Sequence, residues 1–349
     1  IHEYGSKVAV QLSLGFGRNA DNISSERPPV SASAVPSFYD PKVLARELTI
    51  EEIRELIKAF GNAAERVKRA GIDAIEIHAH TGYLLDQFMT SLWNKRGDAY
   101  GGDLEGRLRL PLEIIEEVRR RLGRDFPLIF RYSADHMIKG GRKIEESKEI
   151  AKRLEEAGVD ALHIDAGCYE AMPWIFPPEY YEQGCLVHLA EEIKRVVDIP
   201  IITVGRISDP EFAEKILEEG KADFIAMGRQ LLADPEWPKK VREGRIEDIR
   251  RCIACNEGCI GRLFAIKPIS CTLNPEVGRE AEYRITPALK RKKVLVIGGG
   301  PAGMEAARVA ALRGHDVTLC EKTDKLGGLL IPAAMPEFKK DLNHIIKYY

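Results

Sequence analysis

The chain has no apolar run approaching the roughly 18 residues a membrane-spanning helix needs, so no transmembrane segment is expected. It has almost no excess of charge: 52 Lys and Arg face 54 Asp and Glu, a formal net charge of −2. That balance gives no electrostatic case for nucleic acid or an anionic membrane surface as partner. The opening stretch IHEYGSKVAVQL has neither the apolar core of a signal peptide nor an initiating Met, which makes a cytoplasmic location the default and suggests an excerpt of a longer chain. What is present is ample core material, 44% hydrophobic residues over 349 positions, enough for two or more domains.

Cysteine is scarce but unevenly spread. Four of the seven, Cys252, Cys255, Cys259 and Cys271, fall in the pattern C-x2-C-x3-C-x11-C. Three sulfurs on one short loop can meet one corner of a cubane while Cys271 returns as fourth ligand. Structural zinc is the competing reading, although zinc more often pairs two C-x2-C knuckles across a longer gap. Disulfides fit poorly, because nothing is secretory and Cys168, Cys185 and Cys320 would be an odd remainder.

Short β-branched apolar runs alternate with amphipathic stretches. KVAVQL (7–12), DAIEIH (73–78), PLIFRY (127–132), DALHID (160–165), PIITVG (200–205) and DFIAMG (223–228) read as six buried strands. Helical periodicity covers 50–71, 108–123, 146–158 and 211–220. A serial β/α repeat makes a parallel sheet, doubly wound or closed into an eight-stranded barrel. Gln11, His78, Arg131, Asp165, Arg206 and Arg229 stand at or just past the carboxyl ends of these strands, where a barrel carries its active site. Six strands cannot close such a barrel, so two more are expected before Ile1.

The last two strands end in similar phrases, VGRISDPE (204–211) and MGRQLLADPE (227–236). In each, glycine (Gly205, Gly228) admits an anion to the backbone and arginine (Arg206, Arg229) supplies a fork of donors, the features of a cofactor-phosphate loop. A strand turning through Gly298, Gly300 and Gly303 into a helix, with Glu321 and Lys322 ending the next strand, is the dinucleotide fingerprint in its required setting. The motif alone does not separate FAD from NAD.

The stretch EIHAHTGYLLDQFMTSLWNKRGDAYGGDLEGRLRLPLEII (76–115), QLSLGFGR (11–18) and the two Gly-Arg loops together resemble the old yellow enzyme family of FMN-dependent barrels. With the cysteine cluster and GGGPAG added, the order resembles its long iron-sulfur branch, which includes 2,4-dienoyl-CoA reductase, 2-enoate reductase, trimethylamine dehydrogenase and clostridial bile-acid enone reductases. The resemblance implies that Gln11 hydrogen-bonds the flavin ring, that Arg131 lies near flavin N1 and O2, and that Gly205, Arg206, Gly228 and Arg229 hold the FMN phosphate. It also implies that Tyr83 gives a proton to the substrate α-carbon and that His78 is the first of two donors to its carbonyl oxygen. The second donor, normally His or Asn, is here Thr81, so Thr81, the neighbouring His80 or another arrangement fills the role. The string DAGCYEAMPWIFPP (165–178), with Tyr169 and Glu170, lacks the His that dienoyl-CoA reductases carry after the sixth barrel strand, which favours an enoate or enone reductase. GG at 327 and 328 resembles flavoprotein disulfide reductases and favours FAD.

The expectation is therefore an α/β chain in three parts. An FMN-binding TIM barrel spans 1–245, an iron-sulfur segment and linker 246–290, and the start of a Rossmann-like FAD or NAD domain 291–349. The implied function is NAD(P)H-dependent reduction of an activated alkene in a small unsaturated carbonyl compound, with FMN, FAD and a 4Fe-4S cluster as cofactors. A homo-oligomer is compatible with this reading. The alternatives are an amine dehydrogenase of the same branch, with Trp93, Trp174, Phe176 and Tyr180 as its cation-binding aromatics, or a zinc-stabilised barrel with no redox role.

Overall fold

The computed structural model describes residues 1–21, 24 and 26–349. It divides into two compact units: Ile1–Ile175 with Leu186–Gly205 and Lys215–Ala226, and Phe176–Cys185 with Arg206–Glu214 and Met227–Tyr349.

The first unit carries one sheet of six strands: β1 (Ala9–Leu12), β2 (Ala74–Ala79), β3 (Leu128–Asp135), β4 (Ala161–Ala166), β5 (Ile201–Val204) and β6 (Phe224–Ala226). They lie in chain order and every neighbouring pair is parallel. A doubly wound sheet would reverse its order at a switch point, so this sequential order is that of a β/α barrel wall. Each of the six runs read as strands supplies one. Helices α1 (Ile50–Arg69), α3 (Leu104–Leu122), α4 (Ile144–Glu156), α5 (Val187–Lys194) and α6 (Pro210–Glu218) occupy the intervals, and a short α2 (Leu84–Met89) follows β2.

Local signals set the helix limits. Thr49 and Glu52 form a capping box that starts α1, each side chain accepting the other's backbone N–H at 3.2 and 2.9 Å. Asp103 caps α3 by accepting the Gly106 N–H at 2.9 Å, so this helix begins four residues before the expected 108. The turn-rich NKRGDAYGG stretch is a strut: Arg96, buried, binds Asp98 at 2.6 Å and the carbonyls of Ala32 and Leu48 at 3.0 and 2.7 Å.

Strand alternation sorts the sheet's side chains into two sets. Ile75, Ile77, Leu128, Phe130, Tyr132, Leu162 and Ile164 are completely or almost completely buried and form the apolar set. Glu76, His78, Arg131, Ser133, His163 and Asp165 alternate with them and form a polar layer.

In the second unit the four clustered cysteines lie on a loop containing a single π-helical turn, Glu257–Gly261, and a short helix, Arg262–Phe264. After it, β7 (Lys293–Ile297), α7 (Pro301–Leu312) and β8 (Asp316–Cys320) form a parallel β-α-β unit with Asp316 opposite Lys293. No helix among the described residues is long and apolar enough to cross a membrane.

Candidate active site

The polar layer contains two side-chain clusters. Gln11 of β1, opposite Glu76, donates Nε2–H to Glu76 Oε1 at 2.5 Å, and Glu76 Oε2 lies 2.8 Å from His163 Nδ1. Arg131 Nε donates to Asp165 Oδ2 at 2.9 Å, His80 Nδ1 lies 2.7 Å from the same oxygen, and the Ser133 hydroxyl donates to Oδ1 at 3.1 Å. Burial pushes the Asp165 carboxyl up, but His80 and Arg131 outweigh it and hold the group well below the usual carboxylate range. His78 shifts the other way: burial first, then the neighbouring His80 and Arg131, lower it to about 3, so its imidazole is neutral at ordinary pH. The Nε2 of His163 is buried and has no hydrogen-bond partner among the described residues.

Tyr83 is the N-cap of α2, at the end of a turn in which Thr81 and Gly82 both have positive φ, 58° and 76°. A non-glycine residue in that region costs energy unless its surroundings impose it. Three polar side chains do so here. Asp86 accepts the Gly82 N–H at 2.8 Å, while Gln87 and Asn19 donate to the Gly82 carbonyl at 2.7 and 2.9 Å. Asp86 is itself fully buried against Arg142 at 2.8 Å and His136 at 3.1 Å. The Arg142 N–H donates to His136 Nδ1, which fixes the tautomer that places the imidazole proton on Nε2, toward Asp86.

Held this way, the Tyr83 ring stacks on His78, with centroids 4.8 Å apart and planes 12° from parallel, and Phe16 meets its edge at 4.9 Å. The Tyr83 hydroxyl lies 2.9 Å from that of Tyr169. The structure therefore brings Tyr83, His78 and His80 together, with the His78 and His80 centroids 4.0 Å apart. Thr81 is turned away: its hydroxyl donates to the His80 carbonyl at 2.8 Å. Of the alternatives for a second carbonyl donor, His80 is the side chain beside His78.

The aromatic residues singled out from sequence have other partners. Trp93 and Trp174 pack with Cys168 and Ala171, Arg18 lies 5.4 Å over the Trp93 ring, and Phe176 and Tyr180 meet Phe264 and Phe338. The rings touching Tyr83 are instead His78, Phe16 and Tyr169, and Phe38 and Tyr39 pack edge-on against Tyr169. Phe16, Phe38, Tyr39, Asp86, Gln87 and His163 were not singled out in the sequence, whereas Tyr169 was. For His163 the signal was there, since the alternation that turns Asp165 to the polar face turns His163 the same way.

In the second unit, Cys252, Cys255, Cys259 and Cys271 line one pocket together with Arg229, Asn256 and Gly258. Ala254 and Asn256 take positive φ, 53° and 60°, wrapping the loop so that the Ala254 N–H points at Cys252 Sγ at 3.4 Å. The Leu273 N–H meets Cys271 Sγ at the same distance. Burial raises the Cys252 thiol to about 11 against the pull of the Ala254 N–H and Arg229. Among the described residues, no group of three or more His, Cys, Asp and Glu side chains is arranged to hold a metal ion. Both Gly-Arg arginines are engaged by protein acceptors, Arg206 by the Tyr181 carbonyl and Asp341, and Arg229 by Pro177 O and Asn256 Oδ1 at 2.8 and 2.6 Å. Gly205 has φ 118°, and a Cβ there would lie 2.9 Å from Leu186; Gly228 has space for one.

The dinucleotide turn is shaped by backbone approach. A Cβ on Gly303 would lie 1.9 Å from the Gly298 carbonyl oxygen, and one on Gly328 3.0 Å from Gly300 Cα. Gly298 takes φ 103° as the chain leaves β7. Glu321 accepts the Gly299 and Thr323 N–H groups at 2.7 and 3.0 Å, and Lys322 is exposed.

A parallel sheet in chain order, with titratable side chains gathered at the carboxyl ends of its strands, defines an enzyme of the β/α barrel class. The chain belongs to the NADH:flavin oxidoreductase / NADH oxidase family, whose model matches residues 1–248. Residues 293–345 match the FAD dependent oxidoreductase family. The chain is 53% identical over 340 residues to an NADH oxidase of Thermoanaerobacter brockii, covering 96% of this chain and 52% of that protein. It is 48% identical over 364 residues to a cinnamate reductase of Clostridium sporogenes, covering 100% and 55%. A solved 2-naphthoyl-CoA reductase in complex with 2-naphthoyl-CoA superposes with a TM-score of 0.88 at 39% identity, covering 100% and 52%. The chain thus spans about half the length of the curated relatives it matches.

Proposed function

We propose that the protein of which this chain is part reduces the C=C bond of a 2-enoate, enone or enoyl thioester at the expense of NAD(P)H. The observation that carries this reading is the Tyr83 phenol stacked on neutral His78, with its hydroxyl held by Tyr169. A neutral imidazole keeps an N–H to offer a carbonyl oxygen without adding a charge that would have to be desolvated. His80 stands beside His78 with its Nδ1 2.7 Å from Asp165 Oδ2, which orients the ring next to the donor. Polarising the carbonyl makes the β-carbon accept hydride and the α-carbon accept a proton, and Tyr83 is the acid positioned to give it. Relatives named for cinnamate and for 2-naphthoyl-CoA, together with the rings of Phe16, Phe38, Tyr39 and Tyr169, favour substrates carrying a flat aryl group.

When bound, FMN supplies hydride, FAD and NAD(P)H supply its electrons, and a 4Fe-4S cluster supplies one-electron transfer between the flavins. The residues present fit these groups. Gln11, near the end of β1, and Arg131, midway along β3, are proposed to face the flavin ring, and His163 Nε2 is an unsatisfied buried atom of the kind a heterocycle satisfies. The Gly205–Arg206 and Gly228–Arg229 pairs are proposed as phosphate holders on their chemistry alone. The Gly298, Gly300 and Gly303 turn, with Glu321 and Lys322, suits the pyrophosphate and ribose of FAD. Four thiols sharing one pocket, three of them on a single short loop, are a donor set that suits a cubane.

A second reading, amine oxidation by the same cofactors, draws on the same rings, since aromatic faces bind cations. The neutral imidazole and the tyrosine hydroxyls at the site favour the alkene.

The test uses the full-length protein, anaerobic and quantified for iron, sulfide, FMN and FAD. Cinnamate is expected to reoxidise the reduced flavin, and methylated amines to leave the oxidised flavin unreduced. Tyr83→Phe is expected to slow that reoxidation about 10²- to 10⁴-fold, the usual worth of a positioned acid. Zinc without flavin, or a Tyr83→Phe enzyme as fast as the parent, would sink the reading.

A further inference from the structure

Tyr83 has to recover a proton after each turnover, and its own surroundings are not water. It is half-buried between His78 and Phe16, and burial raises its hydroxyl above the ordinary tyrosine value, against the pull of the Tyr169 hydroxyl. The partner that hydroxyl does have, Tyr169 at 2.9 Å, is another phenol with the same intrinsic acidity. Tyr169 in turn packs against a third phenol, Tyr39, their ring centroids 6.3 Å apart, and Tyr39 is 49% exposed. Phe38 braces this pair edge-on, its centroid 5.1 Å from Tyr169 and 5.3 Å from Tyr39. Three like groups in a row, the innermost at the proposed reaction centre and the outermost at solvent, form a path along which a proton moves with little change in free energy.

We propose that Tyr169 and Tyr39 form a proton relay that resupplies Tyr83 from bulk water. The inference rests on the alkene-reductase reading and deepens it. As the Tyr83 O–H bond breaks and a C–H bond forms at the substrate α-carbon, the Tyr169 proton passes to the Tyr83 oxygen. The Tyr39 proton passes to Tyr169, and a solvent water at the exposed edge of Tyr39 restores the last, its hydroxide being neutralised by buffer. One proton enters per alkene reduced and no electron travels along the chain. Asp21 adds negative charge toward both outer phenols and disfavours their standing as phenolates, so each gives up its proton only while receiving the next. Glu170, the nearest carboxylate in sequence, is taken by Arg18 at 2.6 Å. Tyr169 and Tyr39 act through Tyr83 and are positioning residues in this scheme.

The experiment follows reoxidation of the pre-reduced full-length enzyme by cinnamate in mixtures of H2O and D2O, for the parent and for Tyr83→Phe, Tyr169→Phe and Tyr39→Phe. Each substitution removes one oxygen and keeps the ring, so the packing of Phe38 and Phe16 is retained. The parent is expected to give a curved dependence of rate on deuterium fraction, because several protons move together. Tyr169→Phe is expected to lose about 10- to 100-fold and to give a straight line. Tyr39→Phe should lose less and keep part of the curvature. A Tyr169→Phe enzyme that is slow but still curved would assign Tyr169 to packing and overturn the relay, as would one with parental rate. In both cases Tyr83→Phe would remain slow, whereas failure of the alkene reading itself would show as an unaffected Tyr83→Phe and would overturn both.

Discussion

Two buried or half-buried carboxylates, one from each unit, are held in opposite ways. Asp165 at the mouth of the parallel sheet is fixed by the side chains of Arg131, His80 and Ser133. Glu321 at the dinucleotide turn is fixed by the backbone N–H groups of Gly299 and Thr323. The same contrast runs through the rest of each region. The sheet mouth is a chain of titratable groups, in which moving one charge changes the protonation of the next. The glycine turn and the cysteine loop are shaped by main-chain approach, positive φ and N–H groups aimed at a carboxylate or a sulfur. The first design tunes acidity and the second shapes a receptacle, which is the division of labour expected of a proton-transfer centre and of sites that hold preformed groups.

The contrast breaks most completely at Gly303. A Cβ at 1.9 Å from a backbone carbonyl oxygen has no flexible neighbour to push aside, so the strand and helix must separate. Gly303→Val in the full-length protein is expected to reduce FAD from stoichiometric to trace amounts while FMN and iron remain, read by flavin and metal analysis of the purified protein. Loss of FMN in equal measure would mean that the two receptacles are not independently built.

The sheet mouth should fail by charge instead. Asp86 is fully buried, and Arg142, also fully buried, depends on it for a counter-charge. Asp86→Asn keeps the shape, removes the charge and is expected to cost about 3–5 kcal/mol of stability, the penalty for an uncompensated buried ion. Denaturant titration of parent and variant measures it. Burial raises the Asp86 carboxyl, but His136 and Arg142 bring it down to about 2. Its contribution is therefore present above the unfolded value near about pH 4 and is lost as pH falls through about 2. An Asp86→Asn protein as stable as the parent would show that Arg142 has other compensation.

This division also explains what could be read from the sequence. Strand positions were legible because six apolar runs recur between amphipathic helices, and each of the six runs became a strand. The sites that depend on spacing stood out too: C-x2-C-x3-C, the two Gly-Arg phrases and the three-glycine turn are short-range patterns, and backbone shape is a short-range property. The side-chain network was largely hidden, because its partners are far apart in the chain. Tyr83 and Tyr169 are 86 residues apart, Glu76 and His163 87. Only the folded sheet makes them neighbours, and the aromatic set chosen by residue type alone, Trp93, Trp174, Phe176 and Tyr180, differs from the rings packed about Tyr83 and Tyr169 for the same reason.

The smallest predicted effect is a pH dependence that should be missing. A histidine beside a tyrosine invites the expectation of an acidic limb near pH 6.5 in the rate of alkene reduction. Here burial, with His80 and Arg131 close by, lowers His78 to about 3, so it gains a proton only as pH falls through that value and stays a neutral donor throughout the working range. Asp165 is held ionised far below it by His80 and Arg131 and adds no limb either. The rate at which cinnamate reoxidises the pre-reduced full-length enzyme is therefore expected to be flat between about pH 5.5 and 8 as far as this pair is concerned. His78→Gln, which retains an amide N–H, should keep the same flat profile at a lower rate. A limb near pH 6.5 that vanishes in His78→Gln would mean that His78 titrates in the presence of substrate, and that the carbonyl is held by an imidazolium rather than by a neutral ring.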